Sequence, residues 1–370
     1  MDPWNFELGV KPLSVMTFET DISGYSQPPL YPLAIAPLAY PLAKIFNQFL
    51  APRICFTILE LIAFLLTAAF LAESSEISDR YKFSIMTIMA VSPLGFMAGT
   101  VMKQEEAIVM IFTAAVLLAW RRGSIKWAGL LTFFGMLTAK ILFGITFLPL
   151  LLQSRDRQKV FSWGIIPSII FFSVYGLAGH LKTGTIPFID FTPIGIWFCV
   201  SSYSLISRLA YMTGPLMKWS SLSLIGLSSA GLLATVKKMK RPDFPLLYLL
   251  SYCILFLLFY HINTEYHIFF LPLLALIPFK TYASKFRIQL IILHFIFAIC
   301  SWSYGIIHGI NVYSRGDSFS SPSKQLVLDL YNRLLGFIPA GSAELFMLVA
   351  TLLVLMLITS YTVRLIYADS

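Results

Sequence analysis

Charge is what this chain lacks most. Only 12% of its 370 residues are Asp, Glu, Lys or Arg. A soluble domain carries roughly 25%, so the chain cannot cover a water-exposed globule. Cysteine is nearly as scarce: Cys55, Cys199, Cys253 and Cys300 stand far apart with no C-x-x-C spacing. That excludes a disulfide framework and a zinc knuckle. G-x-S-x-G, H-E-x-x-H and a Walker loop are absent as well, which removes the common hydrolase, zinc-protease and P-loop signatures. The N-terminus shows neither the basic nor the apolar region of a cleaved signal peptide. The net charge of +9 has no nucleic-acid motif beside it. Its basic residues fall in short clusters between apolar runs, the distribution that the positive-inside bias produces.

What the chain has in abundance is apolar sequence, with 58% hydrophobic residues and a mean hydropathy of +0.78. Several runs reach the ~20 residues that a bilayer core demands of a helix. Runs lie at 53–72, 83–101, 106–120, 127–139, 141–153, 160–178, 219–236, 244–260, 266–279, 286–308 and 343–366. They predict an all-α polytopic membrane bundle of about eleven transmembrane segments. The runs 141–153 and 266–279 are short for ~30 Å of hydrocarbon, and are expected as broken or buried helices.

Alternation of these spans puts four basic clusters on one side: Arg121, Arg122 and Lys126; Arg155, Arg157 and Lys159; Lys237, Lys238, Lys240 and Arg241; and Lys280, Lys285 and Arg287. That side is the cytoplasmic one, and it holds the C-terminus. The opposite face, outer or lumenal, receives Asp2, Glu7, Glu19, Asp21, Glu105, Glu106, Asp190 and Glu265. It also has the longer loops, where function concentrates. The stretch SGYSQPPLYPLAIAPLAYPLAK carries Pro28, Pro29, Pro32, Pro37 and Pro41. Prolines at that density break a span, and counting it as one would invert every basic loop. It is expected as a juxtamembrane helix on the outer face. The organisation is then one membrane domain over 1–370, with an outer loop at 1–52, a core bundle at 53–308, an outer loop at 309–342 and a last span at 343–366. Residues 194–212 are expected to lie on or dip into the membrane surface.

Candidate chemistry gathers at the outer helix ends. Asp2 and Asp21 read either as solvated tail residues or as acids facing a site. Glu105 and Glu106 open an apolar helix, where a carboxylate meets the positive end of the dipole; read chemically, paired carboxylates suit a general base or a divalent cation. Lys140 lies between two apolar runs, and either snorkels to the interface or pairs with an anion such as phosphate. His261, Glu265 and His267 share a short outer turn, a weak metal signal beside the simpler reading of a surface turn. Glu60 and His294 fall inside spans.

Taken in order, these residues resemble a GT-C glycosyltransferase. In that superfamily an acidic residue begins the first outer loop and a P-P-L-Y-like helix follows roughly thirty residues on; Asp2 and the PPLY ending in Tyr31 match. VSPLGFMAGTVMKQEEAIV is similar to the S-P…Q-x-D-A segment, with Glu106 on the Asp. GLLTFFGMLTAK puts Lys140 on the family's lysine, and FYHINTEYHIFFLPLLAL resembles the late turn and L-P-L helix. The matches are closest to the mannosyltransferase branch that includes the GPI mannosyltransferases and their prokaryotic relatives.

The resemblance implies inverting transfer of a sugar, mannose foremost, from a dolichyl- or polyprenyl-phosphate donor to a lipid- or protein-linked acceptor. It makes Asp2 the general base and Glu106 its catalytic companion. Glu105, Lys140, Glu265, Tyr266, His267 and Tyr31 become substrate-binding residues, and Asp2 with Glu106 would hold any divalent cation, Mg or Mn. The membrane is the cell membrane of a prokaryote or the endoplasmic reticulum of a eukaryote. Family members carry a transmembrane helix before the first acidic loop, so the resemblance implies either a span upstream of Asp2 or export of a long N-terminal tail by the span 53–72. A transporter or flippase for a polyprenyl-linked or anionic substrate is the rival reading, and a structural membrane subunit is the third.

Overall fold

The computed structural model describes residues 28–47, 50–92, 94, 106–183, 223–232, 244–258, 268, 269, 271–280, 287–299 and 352–364, with 9, 10, 329, 333 and 349 as isolated points. Among these residues every regular element is helical. Helices pair backbone donors and acceptors within one segment, which suits a chain with so little polar surface. In chain order the elements are α1 (Tyr31–Ile45), α2 (Leu50–Ala72), α3 (Asp79–Val91), α4 (Glu106–Arg121), α5 (Ile125–Thr138) and a 3-10 turn (Ile141–Thr146) leading into α6 (Phe147–Gln153). Then come α7 (Arg157–Lys182), α8 (Ser223–Leu232), α9 (Phe244–Leu258), α10 (Leu271–Lys280), α11 (Arg287–Ile299) and α12 (Leu352–Arg364). Of the described helices, α2 and α7 are long and apolar enough to cross a bilayer. The run 141–153 is broken, as its length demands, into the 3-10 turn and α6.

Side-chain pairs fix which helix ends lie together. Arg121, the last residue of α4, grips Glu76 through both nitrogens at 2.9 and 2.6 Å, and its Nε donates to the Glu73 carbonyl. Arg122 forks onto the Glu73 carboxylate. The C-terminal ends of α2 and α4 therefore meet at one end of the bundle, and the two helices run parallel in broad contact. A left-handed Gly123 (φ 67°) closes α4: its N–H reaches the Trp120 carbonyl and that of Ser124 the Ala119 carbonyl. This double closure is a Schellman motif, and it turns α5 back at once.

At the same end Trp120 stacks on Phe244 at 4.1 Å, so α9 starts there. Arg287, at the start of α11, donates to Tyr81 in the first turn of α3. α9 occupies the middle, with every residue from Phe244 to Cys253 buried. α7 carries a π-helical turn over Phe161–Ile165, where the Ile166 N–H reaches back to the Phe161 carbonyl. Pro167 explains it: proline has no N–H and its ring displaces the carbonyl four residues back, so the register slips. The bulge seats Gly164 against α5, where a Cβ would come within 3.0 Å of the Gly129 carbonyl.

The Glu73–Arg122 pair sets an acid limit on this end. Its bond from Arg122 holds the Glu73 carboxyl below the ordinary value of 4.5. A depressed carboxyl stabilises the fold while ionised, so its contribution is full above that value and is lost as acid protonates it. Glu73→Gln is expected to melt below the parent protein at pH 7, with the gap narrowing as the pH falls below about 4.5. Melting curves of detergent-solubilised protein at stepped pH measure this, and a gap unchanged at pH 3 contradicts it.

Candidate functional site

The end of the bundle away from the clamp is built around a helix break. α5 stops at Thr138 because Ala139 and Lys140 both turn their N–H groups onto the Gly135 carbonyl, at 2.9 and 3.2 Å. Lys140 is then extended (φ −153°, ψ 138°), and its carbonyl takes the Phe143 N–H at 2.9 Å to start the 3-10 turn. Phe143 folds back over Gly135 so closely that a Cβ there would lie 2.4 Å from the ring. The glycine thus fixes the turn that places Lys140, which is only 8% exposed.

Helix lengths set the depth of this lysine. From the clamp end α2 extends about 34 Å and α7 about 39 Å, whereas α5 extends about 20 Å and the returning turn plus α6 about 22 Å. The α5–α6 hairpin therefore ends more than 10 Å short of the long helices on this estimate, with Lys140 at its tip. α1 bridges the step. The Leu30 N–H donates to the Leu137 carbonyl at 2.8 Å, three residues before Lys140, and the other end of α1 leads through an Asn47 cap (2.9 Å) into α2. Both ends of α1 thus sit in the half away from the clamp, and the proline-rich stretch does not traverse the bundle. Its Tyr31, Pro32, Ile35 and Ala39 are buried, and Gly9 lies against that face, where a Cβ would meet Ile35 at 2.5 Å.

The structure thus brings Tyr31 and Lys140 to the same step. Asp2, Asp21, Glu105, His261, Glu265, Tyr266 and His267 lie outside the described residues; Glu106 begins α4, and its side chain also lies outside them. Asp2 with Glu106 as cation ligands therefore remains an expectation.

The sequence reading missed a polar column inside the bundle. Phe244, Tyr248, Tyr252 and Phe256 recur every fourth residue of α9 and contact one another in series at 5.6, 5.1 and 6.3 Å. The Thr146 hydroxyl donates to the Tyr248 hydroxyl at 2.9 Å, and Thr113 bonds Tyr252 at 3.4 Å. All four hydroxyl residues are fully buried. The four-residue aromatic spacing was the available signal, hidden in an otherwise uniform apolar run. Elsewhere, His294 Nε2 lies 3.1 Å from Ser92 Oγ while its Nδ1, like Glu60 Oε1, has no hydrogen-bond partner among the described residues.

Two outcomes follow for stability. Gly135→Ala must displace Phe143 and is expected to cost about 1–3 kcal/mol, read as a lowered denaturation midpoint. Tyr248→Phe removes the acceptor for Thr146 and is expected to cost about 1 kcal/mol; adding Thr146→Val should then cost little more. Independent, additive losses in that double variant contradict the bond.

Searches of family models, of curated proteins and of solved structures found no match for this chain.

Proposed function

We propose that this chain is a multi-pass membrane glycosyltransferase of the GT-C type, moving a sugar, mannose foremost, from a polyprenyl-phosphate donor to a lipid- or protein-linked acceptor. In this reading the apolar helices together make the polytopic bundle of about eleven spans. The clamp end with its basic turns faces the cytoplasm, and the Lys140 step opens on the outer or lumenal face. The observation that carries it is the position of Lys140. Against a hydrocarbon core of ~30 Å, a hairpin of about 20 Å leaves this buried cation below the far surface of the membrane. A lysine held at such depth marks a functional site by default, and a phosphate on a lipid chain arrives at that depth. Departure of the sugar leaves the donor phosphate with an additional negative charge, which a fixed ammonium stabilises more than it does the intact donor. Asp2 takes the proton of the acceptor hydroxyl as its oxygen attacks the sugar carbon. Glu106, with Glu105, orients the acceptor or holds a Mg or Mn ion. Tyr31, Glu265, Tyr266 and His267 complete the donor site.

His294 and Glu60 support a second reading, a transporter or flippase, because ionisable groups inside a bundle line transport paths. One reconstitution separates the two. Proteoliposomes containing the full chain, radiolabelled polyprenyl-phosphate mannose and membrane lipids are expected to yield labelled lipid product. Lys140→Gln should lower the rate about 100-fold or more, and Asp2→Asn should abolish it with binding of the donor retained. Movement of intact labelled donor across the bilayer without transfer contradicts the enzyme and supports the transporter.

A further inference from the structure

We propose that the clamp end of the bundle is a binding surface for anionic phospholipid headgroups, centred on the turns 121–126 and 154–159. The first ground is unbalanced charge. The turns 73–82, 121–126 and 154–159 hold eight basic residues and four acidic ones. All four carboxylates are engaged: Glu73 with Arg122, Glu76 with Arg121, Asp79 with Lys82 and Asp156 with Lys159. Among the described residues Arg80, Lys126, Arg155 and Arg157 are exposed cations with no carboxylate partner. A zwitterionic headgroup would not compensate that surplus.

The second ground is that the two central turns form one patch. A Cβ on Gly129 would lie 3.7 Å from the Lys159 carbonyl, and the Lys126 ammonium sits 3.8 Å above the Trp163 ring. The start of α5 therefore lies directly against the start of α7.

The third ground identifies the partner, because α7 displays chemistry in layers. Arg157 and Lys159 come first. Phe161 and Trp163 follow, 45% and 41% exposed, and Trp127 in the first turn of α5 is 57% exposed. Ile166, Ile169, Ile170 and Val174 come next, each 47% to 63% exposed. Cation, aromatic ring and aliphatic side chain follow the order of phosphate, glycerol level and acyl chain in a bilayer leaflet. A free phosphate or a polyanion would use only the first layer; a phospholipid uses all three.

The test is electron spin resonance of the full chain in phosphatidylcholine vesicles, with spin-labelled phosphatidylglycerol or spin-labelled phosphatidylcholine as the probe. The share of motionally restricted lipid at the protein gives relative affinity. Phosphatidylglycerol is expected to be favoured several-fold, with the preference falling stepwise as basic residues are removed from the patch. Lys126→Gln/Arg155→Gln/Arg157→Gln is therefore expected to abolish it, high salt to weaken it, and Lys182→Gln at the other end of α7 to leave it intact. Equal restriction of both lipids by the unaltered protein overturns the proposal without recourse to any variant. So does a preference retained by the triple variant, or one removed entirely by soluble glycerol phosphate.

Discussion

Everything placed in this bundle is measured from the parallel packing of α2 on α4. Parallel neighbours need a return path, which α3 begins, and they need a fixed register. The Arg121 and Arg122 forks on Glu76 and Glu73 provide that register at the two C-terminal ends. Ion pairs at an exposed end contribute little energy individually, and the apolar faces of the two helices supply most of the association. The clamp decides which turn of one helix meets which turn of the other. Once it is set, α5 must return beside them, and its length determines how deep Lys140 lies.

Polar groups inside the bundle follow a consistent rule. Buried hydroxyls are tied either to their own helix, as Thr67, Thr132 and Ser251 are to carbonyls four residues back, or to a partner across helices, as Thr146 is to Tyr248. Leaving such groups unpaired in an apolar interior costs far more than the bond itself contributes. Against that rule, His294 Nδ1, Glu60 Oε1 and Gln153 Nε2 have no hydrogen-bond partner among the described residues, and the two ionisable groups lend the transport reading its weight.

Helix content and the placement of most runs were legible because apolar length and flanking charge are local signals. In the sequence Arg121 and Arg122 carry a local charge signal, and in the structure they are also the clamp; their pairing with Glu76 and Glu73 is long-range and leaves no local trace. The prolines of 28–41 argue against a membrane span, since proline removes backbone donors wherever it falls. Pro37 and Pro41 nevertheless sit within α1, on the exposed side, where the break in bonding is tolerated. The column from Phe244 to Phe256 escaped notice because uniform hydrophobicity masks a four-residue repeat. The depth of Lys140 also could not be read locally: it depends on Gly135, on Phe143 and on the lengths of helices elsewhere in the chain.

The central claim is that α1 and the Lys140 step share one end of the bundle, opposite the basic turns. Single cysteines at positions 40, 155 and 182, introduced into a version without the four native cysteines, test it in sealed oriented vesicles with a membrane-impermeant thiol reagent. Labelling of 40 and 182 from one side and of 155 from the other is the predicted result; labelling of 40 and 155 from the same side would contradict it.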